Sequence, residues 1–395
     1  MRSLTQKPPA LPLELFLFPY EEVSVKNIQA FVLTILLSLS ATLAQFSVLG
    51  QTAPDRVQSQ TNNSPAEQLD ALVQKIGKAS DPGIAVMVIK DGKVKFKKGY
   101  GVADLSTGAP ITADTPFYIA SLGKQFTAVA IMMLAERGRL SYDDKLTKYF
   151  PEFESFASTI TLRHLLTHTS GLIDHLDVVK DNVTGWTNSD VVKLLLRENR
   201  LLFQPGEKVG YSNSGYVLLS MIVEKVTGEN FAKFVEQNIF RQLEMSHTFI
   251  ADPNSPKSLK RAHGYAENGG RWDVTDYDAF TTGGGGVYSS LEDLYKWDQS
   301  FYTERLIKSE TLKQASTPAR LNNGRPTPYG FGWMAEFAAK GKLANVWYVA
   351  SFGDFKGFKG LMKRIPERRF TVIVLTNNGK FPWEIVELAH ALYAN

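Results

Sequence analysis

The chain has 395 residues, of which 44% are hydrophobic and 21% are charged, and its formal net charge at pH 7 is +4. This composition is globular and long enough for two or three structural units, while the small net charge favours neither nucleic acid nor an anionic membrane surface as a partner. There is no cysteine, which excludes disulfides, a thiol nucleophile and lipid attachment through Cys.

The first segment, residues 1–44, is predicted to be an N-terminal extension that ends in an export signal. Lys26 precedes an apolar run from Phe31 to Leu39, and small residues follow up to Ala44. The alternative is a retained anchor helix, but the apolar run is shorter than the ~20 residues that cross a bilayer. We therefore expect cleavage after Ala44 and a periplasmic or secreted protein without a stable membrane anchor. The proline-containing stretch ahead of the signal is consistent with a start codon assigned too early.

The next segment, residues 45–65, is predicted to be a flexible linker. Most of it is rich in Gln, Asn, Ser and Thr and almost free of apolar side chains, so it buries too little apolar surface to fold. We expect one folded catalytic domain over 66–395. Its sheet part is predicted at about 66–120 and 280–395, and its mostly helical part at about 121–279.

Both ends of the folded region are predicted to supply strands to one antiparallel sheet. Near the start, two stretches with the pattern of strands flank Asp91-Gly92, a favoured two-residue hairpin turn. Near the end, two further stretches of this kind are joined through Pro366-Glu367. The predicted elements are a helix over 66–76, strands over 84–89, 94–100, 357–364 and 370–376, and a helix over 383–393. This pattern indicates an α+β fold, an antiparallel sheet flanked by helices.

The middle of the chain is dominated by helical periodicity. Apolar residues recur at helical spacing over 126–137, 190–197 and 216–226, and Gly138 and Gly228 mark two of the helix ends. This predicts a mostly helical domain inserted into the sheet domain.

The chemistry is expected to depend on Ser121 and Lys124, which form the one Ser-x-x-Lys tetrapeptide of the chain and open a predicted amphipathic helix. Residues three apart on a helix share a face, so the amine can reach the hydroxyl. A serine needs a base to take its proton, and burial together with the positive end of the helix lowers a lysine pKa toward that role. Taken alone, the tetrapeptide also describes a capping serine followed by a solvated lysine.

A second element is the pair Tyr211 and Asn213, predicted to lie in a loop before the next helix. A phenol beside an ammonium can exist as phenolate and relay a proton to a leaving group, while the amide can hold Lys124 or the substrate. The alternative is a turn residue and a helix cap, because the same Tyr-x-Asn spacing recurs at Tyr393 and Asn395.

Together these motifs resemble the serine β-lactamase and penicillin-binding-protein superfamily, for which Ser-x-x-Lys is a signature. The resemblance is to the class C branch, which also contains esterases and D-amino-acid peptidases, and it extends from about Ala66 to the C-terminus. Segments that look typical of this branch lie at 162–172, 211–216, 285–290 and 329–333. The resemblance implies a β-lactamase/transpeptidase-like fold.

The resemblance also implies roles for individual residues. Ser121 is the nucleophile, Lys124 its partner in proton transfer, and Tyr211 the general base or acid, with Asn213 in support. The tetrahedral oxyanion is expected to accept hydrogen bonds from the backbone N–H groups of Ser121 and Asp354. No cofactor and no metal are required.

At the third motif the sequence departs from the pattern that is usual in the superfamily. The usual pattern is Lys-Thr-Gly or His-x-Gly, and the segment that fits is Ser-Phe-Gly-Asp, with Ser351 at the cationic position and Gly353 keeping the close backbone approach. In relatives the cation helps to bind the carboxylate of a β-lactam or peptide, and Asp354 would add negative charge. The sequence therefore predicts weak or absent β-lactamase activity, unless Lys356 or Lys359 reaches the site.

Two weaker patterns are interpreted structurally. His164 and His168 have the spacing of a helical zinc site, but Leu165 replaces the required Glu, so we expect packing and helix-end hydrogen bonds. The glycine run 283–286 lacks the Gly-Lys-Ser/Thr of a phosphate loop and is expected to be close-packed backbone beside the cleft.

The sequence therefore predicts an exported serine hydrolase that forms an acyl-enzyme on Ser121 and acts on esters, small amides or D-amino-acid peptides. Esterase, D-aminopeptidase, carboxypeptidase and β-lactamase activities stay open, because substrate choice depends on loop shape. The alternative from a different class is a non-catalytic penicillin-binding-like module that binds cell-wall peptides or a protein partner, an interpretation that Ser351 favours.

Overall fold

The structure, a computed structural model, describes residues 63–179, 184–251, 260–276, 280–337 and 346–394. The predicted export signal and nearly all of the predicted linker lie outside the described residues. Within the described ranges, no helix has both the length and the apolar character needed to cross a membrane.

The secondary structure elements are numbered in chain order. The strands are β1 (Ile84–Lys90), β2 (Lys93–Tyr100), β3 (Val102–Asp104), β4 (Ala109–Pro110), β5 (Phe117–Tyr118), β6 (Phe249–Ile250), β7 (Tyr265–Asn268), β8 (Arg271–Val274), β9 (Val287–Ser289), β10 (Met334–Phe337), β11 (Trp347–Phe355), β12 (Phe358–Ile365) and β13 (Phe370–Thr376). The α-helices are α1 (Pro65–Ile76), α2 (Lys124–Glu136), α3 (Glu154–Ala157), α4 (Leu162–Leu166), α5 (His175–Val179), α6 (Asn188–Glu198), α7 (Asn213–Thr227), α8 (Phe231–Val235), α9 (Leu291–Ser300), α10 (Ser309–Ala315) and α11 (Trp383–Tyr393).

A six-stranded antiparallel sheet in the order β10-β11-β12-β13-β1-β2 organises the fold. Strand β13 lies beside β1, in a register that runs from Ile84 opposite Thr376 to Lys90 opposite Phe370. Both strands are almost wholly buried. The predicted sheet from both chain ends and the α+β class are confirmed.

The hairpin between β1 and β2 shows how local sequence sets this sheet. Asp91 and Gly92 have φ values of 54° and 72°. Positive φ at both central residues matches the twist of the flanking strands, and Asp-Gly tolerates it well. The predicted hairpin is confirmed.

The two faces of the sheet pack against different helices. One face, the terminal face, buries apolar side chains of β1 and β13 against α1 and α11, with Leu69, Val73 and Ile385 at the contact. The other face, the central face, packs against α9, and its side chains Met87 and Ile373 belong to the core that also contains α2. Side chains alternate between the two faces along each strand, so the position of a residue in its strand decides which layer it meets.

The helix that follows Ser121 differs from its prediction as an amphipathic helix. Every residue of α2 from Lys124 to Leu134 is buried. Phe126 packs against Phe240 and Trp297 with ring centroids 5.2 and 4.5 Å apart. A helix enclosed by other parts of the core on every side has no solvent face, so α2 is a central helix, and the prediction of an amphipathic helix was wrong.

Candidate active site

Ser121 lies in a single 3-10 turn, Ala120–Gly123, that leads directly into α2. The residue before it, Ala120, has a φ of 47°, a left-handed conformation that costs a residue with a Cβ roughly 1–2 kcal/mol. Leu122 is fully buried and donates its N–H to the Ile119 carbonyl at 3.0 Å. Buried neighbours on both sides therefore hold a strained turn that presents the serine.

Lys124 is buried one turn further on and faces the serine. Its Nζ lies 3.0 Å from Ser121 Oγ, 2.6 Å from Asn213 Oδ1 and 2.6 Å from the Gly284 carbonyl oxygen. The residue is only 3% exposed. Burial lowers the pKa of Lys124 from 10.5 to about 7, and the nearby Asp174 carboxylate opposes part of this effect. Near neutral pH a large share of the lysine is therefore an uncharged amine.

Tyr211 approaches the serine from another side. Its phenol donates to Ser121 Oγ at 2.8 Å, and its ring stacks on His168 with centroids 4.3 Å apart. Loss of solvent around the hydroxyl raises the pKa of Tyr211, although 41% of the residue remains exposed. This rise in the pKa favours a neutral phenol rather than the phenolate considered from the sequence.

Asn213 completes the group, but it is not in a loop as predicted. It is the first residue of α7, and Ser212 is the N-cap, whose Oγ accepts the Gly215 N–H at 3.3 Å. The serine cap starts the helix three residues earlier than the apolar periodicity suggested. The start of α7 thus carries the asparagine to Lys124.

Two residues near this group were missed by the sequence reasoning as parts of the site. Asp174 accepts the Nδ2–H of Asn213 at 2.7 Å. His168 accepts the backbone N–H of Ser212 at 3.2 Å through Nδ1, and burial holds its pKa well below the usual value. The only sequence signal was position, since His168 lies within the segment 162–172 and Asp174 shortly after it.

The two histidines of the rejected zinc pattern have structural contacts. His164 Nδ1 lies 3.1 Å from the Thr161 backbone N–H, in the cap of α4. His168 packs on aromatic rings. The predicted packing and helix-end hydrogen bonds are confirmed. The described part of the chain contains no cluster of three or more His, Cys, Asp or Glu side chains suited to hold a metal.

The glycine run borders the site as close-packed backbone. The Gly283 carbonyl accepts a hydrogen bond from Thr127 Oγ1 at 2.8 Å, while the Gly284 carbonyl faces Lys124. A Cβ at Gly283 would lie 2.2 Å from the Tyr216 carbonyl oxygen, so no larger residue fits there. This interpretation of the run is confirmed.

The third motif lies on β11, beside the Ser121 turn. A Cβ at Gly353 would lie 2.2 Å from the Ile119 carbonyl oxygen, so glycine allows the strand to approach the turn. Ser351 is two residues earlier on the same face and is 6% exposed. The expected oxyanion donors, the backbone N–H groups of Ser121 and Asp354, therefore belong to two adjacent segments, and their role stays a prediction.

The side chains of Asp354 and Lys359 face away from this site. They are register partners on β11 and β12, and Lys359 Nζ lies 2.5 Å from Asp354 Oδ2. By strand alternation both lie on the terminal face, where Phe352 stacks against Trp383. The suggestions that Asp354 brings negative charge to the site and that Lys359 reaches it were wrong. Lys356 lies between the two strands, with a φ of 48°.

Comparison with known proteins agrees with this fold. A model of the Beta-lactamase family matches residues 69–393, and the chain belongs to this family and to the serine β-lactamase and penicillin-binding-protein superfamily. It is 32% identical over 329 residues to Penicillin-binding protein 4* of Bacillus subtilis (strain 168), which covers 79% of this chain and 71% of that protein. The predicted superfamily is confirmed.

Two further proteins are similar to this chain over most of its length. The chain is 29% identical over 338 residues to Protein flp of Staphylococcus aureus (strain MW2), covering 82% of this chain and 66% of that protein. The solved structure of the octameric penicillin-binding protein homologue from Pyrococcus abyssi superposes with a TM-score of 0.71 at 29% identity, over 82% of this chain and 76% of that one. The β-lactamase/transpeptidase-like fold is thereby confirmed.

Proposed function

We propose that this protein is a serine hydrolase that forms an acyl-enzyme on Ser121 and acts on esters, small amides or D-amino-acid peptides. One observation carries the proposal. Ser121 Oγ lies 3.0 Å from a buried lysine amine and 2.8 Å from a phenol, in a fold whose relatives include penicillin-binding proteins. A hydroxyl between a base and a proton donor is the arrangement that nucleophilic catalysis needs.

The hydrogen-bond inventory of Lys124 supports its role as the base. A neutral amine has two N–H bonds and one lone pair. The two N–H bonds are directed at Asn213 Oδ1 and the Gly284 carbonyl, both 2.6 Å away. The lone pair is then directed at the hydroxyl of Ser121, the third partner at 3.0 Å. The contacts thus aim the basic electron pair at the proton to be removed.

In the proposed acylation, Ser121 Oγ attacks the carbonyl carbon while its proton passes to Lys124. The carbonyl oxygen becomes an oxyanion, and collapse of the tetrahedral intermediate breaks the bond to the leaving group. Lys124 and Tyr211 return one proton to that group. In deacylation, water attacks the acyl carbonyl carbon while one of its protons passes to Lys124. Collapse of the second tetrahedral intermediate then breaks the bond to Ser121 Oγ, which takes up that proton. Such proton transfers contribute typically ~10² to 10⁴ in rate.

The third motif supports a preference for substrates without a carboxylate. The position that usually supplies a cation is Ser351, on the face of β11 directed at the Ser121 turn. Lys359 is paired with Asp354 on the opposite face. We therefore propose that neutral esters and small amides are turned over better than β-lactams.

Hydrolysis of a nitrophenyl ester and of a chromogenic cephalosporin, combined with labelling by an active-site-directed phosphonate, tests the proposal. We expect the label on Ser121 and a higher kcat/KM for the ester. A protein that takes no label and hydrolyses neither compound is the non-catalytic binding module. Cephalosporin hydrolysis much faster than ester hydrolysis would contradict the substrate preference.

The substitution Ser351→Lys tests the missing cation directly. A cation here adds a charge-assisted contact, worth about 1.5–3 kcal/mol, for a substrate carboxylate. We expect the ratio of cephalosporin to ester kcat/KM to rise about 10- to 100-fold. Ser351→Met, which is similar in length but uncharged, is the control. An equal ratio in the Lys and Met variants would show that the charge at this position does not select the substrate.

We also propose that the protein works in the periplasm or outside the cell. The apolar run and small residues that end at Ala44 support this proposal. Mass spectrometry of the protein expressed in a bacterial host is expected to find a mature N-terminus at Gln45 in the exported fraction. A protein that keeps residues 1–44 and stays in the cytoplasm would contradict it.

A further inference from the structure

A buried carboxylate outside the predicted catalytic group lies directly behind it. We propose that Asp174 is a positioning residue of this hydrolase, which fixes the Asn213 amide so that its Oδ1 faces Lys124. The inference rests on the proposed function, because it concerns how the same site aims its base.

Asp174 immediately precedes α5 and is 6% exposed. Its Oδ2 accepts two hydrogen bonds from Asn213, one from the backbone N–H at 3.0 Å and one from Nδ2–H at 2.7 Å. Its Oδ1 accepts the Leu176 N–H at 3.0 Å. Both carboxylate oxygens therefore face N–H donors.

This pattern determines the orientation of the Asn213 side chain. An amide presents a donor on one side and an acceptor on the other, whereas a carboxylate accepts on both sides. With Nδ2 held by Asp174, Oδ1 is the atom left for Lys124, and it lies 2.6 Å from Nζ. A reversed amide would point Nδ2–H at the lysine and compete for the lone pair that faces Ser121.

An amide at position 174 cannot reproduce these contacts. Its NH₂ group would face either the Leu176 N–H or the two N–H groups of Asn213. In both cases a buried donor meets a donor, an arrangement that proteins avoid. We therefore expect Asp174→Asn to disturb the Asn213 orientation although it preserves side-chain size.

Asp174 also affects the charge on Lys124, together with other groups that surround the amine. The titratable groups facing Lys124 from its neighbouring elements are Asp174, His168, His175, Tyr211 and Tyr216. Burial lowers the pKa of His168 well below its usual value and that of His175 to about 4, so both are neutral at pH 7. Burial raises the pKa of both tyrosines, which are neutral as well. The Asp174 carboxylate is then the negative charge that favours the Lys124 ammonium.

The test is the pH dependence of ester hydrolysis in Asp174→Asn. Losing the negative charge makes Lys124 easier to deprotonate, so we expect the acidic limb of kcat/KM to move to lower pH. Misdirection of the lone pair is expected to lower the plateau of kcat about 100-fold, with a smaller change in KM. A merely structural role would lower the plateau without moving the limb.

Asp177→Asn is the matched control, because Asp177 lies in α5, three residues after Asp174, and is exposed, whereas the carboxylate that contacts Asn213 is that of Asp174. It is expected to keep the wild-type limb and plateau. An equal displacement of the limb in both variants would mean that general charge, not the buried contact, is responsible, and would overturn the inference.

Asn213→Ala supplies an independent test, also if Asp174→Asn does not fold. We expect this variant alone to lose about 100-fold in kcat, and Asp174→Asn to lower the plateau far less in the Asn213→Ala background than in the wild type. Wild-type kcat in Asn213→Ala, or additive losses in the double variant, would overturn the inference. Absence of Ser121-dependent turnover in the wild type would instead overturn the proposed function.

Discussion

Ser121→Ala is expected to lower ester kcat/KM by ~10⁴-fold or more and to abolish phosphonate labelling. The substitution removes the oxygen that is proposed to form the covalent bond, and loss of a nucleophile in serine hydrolases leaves only the contribution of substrate binding and oxyanion contacts. The side chain is small and lies in a turn held by its buried neighbours, so the fold should be unaffected. Initial rates and intact-protein mass spectrometry after labelling measure both effects.

Ser155→Ala is the control for this substitution. Ser155 is exposed on α3 and its Oγ donates to Asn199 Oδ1 at 2.7 Å, remote in sequence and contact from the site. It is expected to be labelled and active like the wild type. If Ser121→Ala retained a tenth of the wild-type rate, the nucleophile would have to be another residue.

Lys124→Met is expected to lower ester kcat/KM by ~10² to 10⁴, the range typical of a lost general base. In the wild type, kcat/KM should rise as the pH passes through about 7 and then level off, because the amine works as a base only when uncharged. That rise should be absent in the variant. Lys193→Met, a change at an exposed lysine of α6, should keep both the rate and the rise. A rise that persists in Lys124→Met would assign it to another group.

The same substitution has a second expected effect, on stability as a function of pH. The pKa of Lys124 is about 7 in the folded protein and 10.5 in the unfolded chain. Between these values the unfolded chain binds one more proton, so folding becomes more favourable as the pH rises. Wild-type stability relative to Lys124→Met should therefore increase by up to about 1.4 kcal/mol per pH unit in this window. Denaturant unfolding at pH 7 and pH 9 measures the difference, and an unchanged difference would contradict a lowered pKa.

Much of the fold could be predicted because its signals are local. The hairpin at Asp91-Gly92 depends on two adjacent residues, and the two strands near the C-terminus are short stretches of seven and eight residues in which apolar side chains recur. The approach of Lys124 to Ser121 follows from a spacing of three. Each of these features needs only the geometry of a few consecutive residues.

The features that were missed depend on contacts between distant parts of the chain. Asp174 meets Asn213 across 39 residues, and His168 meets Ser212 across 44. The burial of α2 on all sides is set by layers that come from elsewhere in the sequence. No local pattern carries this information, because helix and strand periodicity describe one element at a time.

The error at Asp354 has a different origin. Ser351 and Asp354 are three positions apart on one strand, and this odd spacing directs their side chains to opposite faces. With Ser351 on the site face, strand alternation already places the Asp354 side chain on the other face. The backbone N–H of Asp354 is still expected to donate to the oxyanion, because the alternation between the two faces concerns side chains and not main-chain groups.

The pairing of β1 with β13 has a consequence for the biosynthesis of the protein. Gly83 donates its N–H to Asn377 Oδ1 at 2.7 Å, across 294 residues, and the whole of β1 beyond it is covered by the last strand. During translation Ser121 leaves the ribosome long before the strands that lie beside it. We therefore expect this sheet to fold late and largely after translation, as is typical of distant strand pairing. The proposed hydrolase activity should then appear only after β13 has been made.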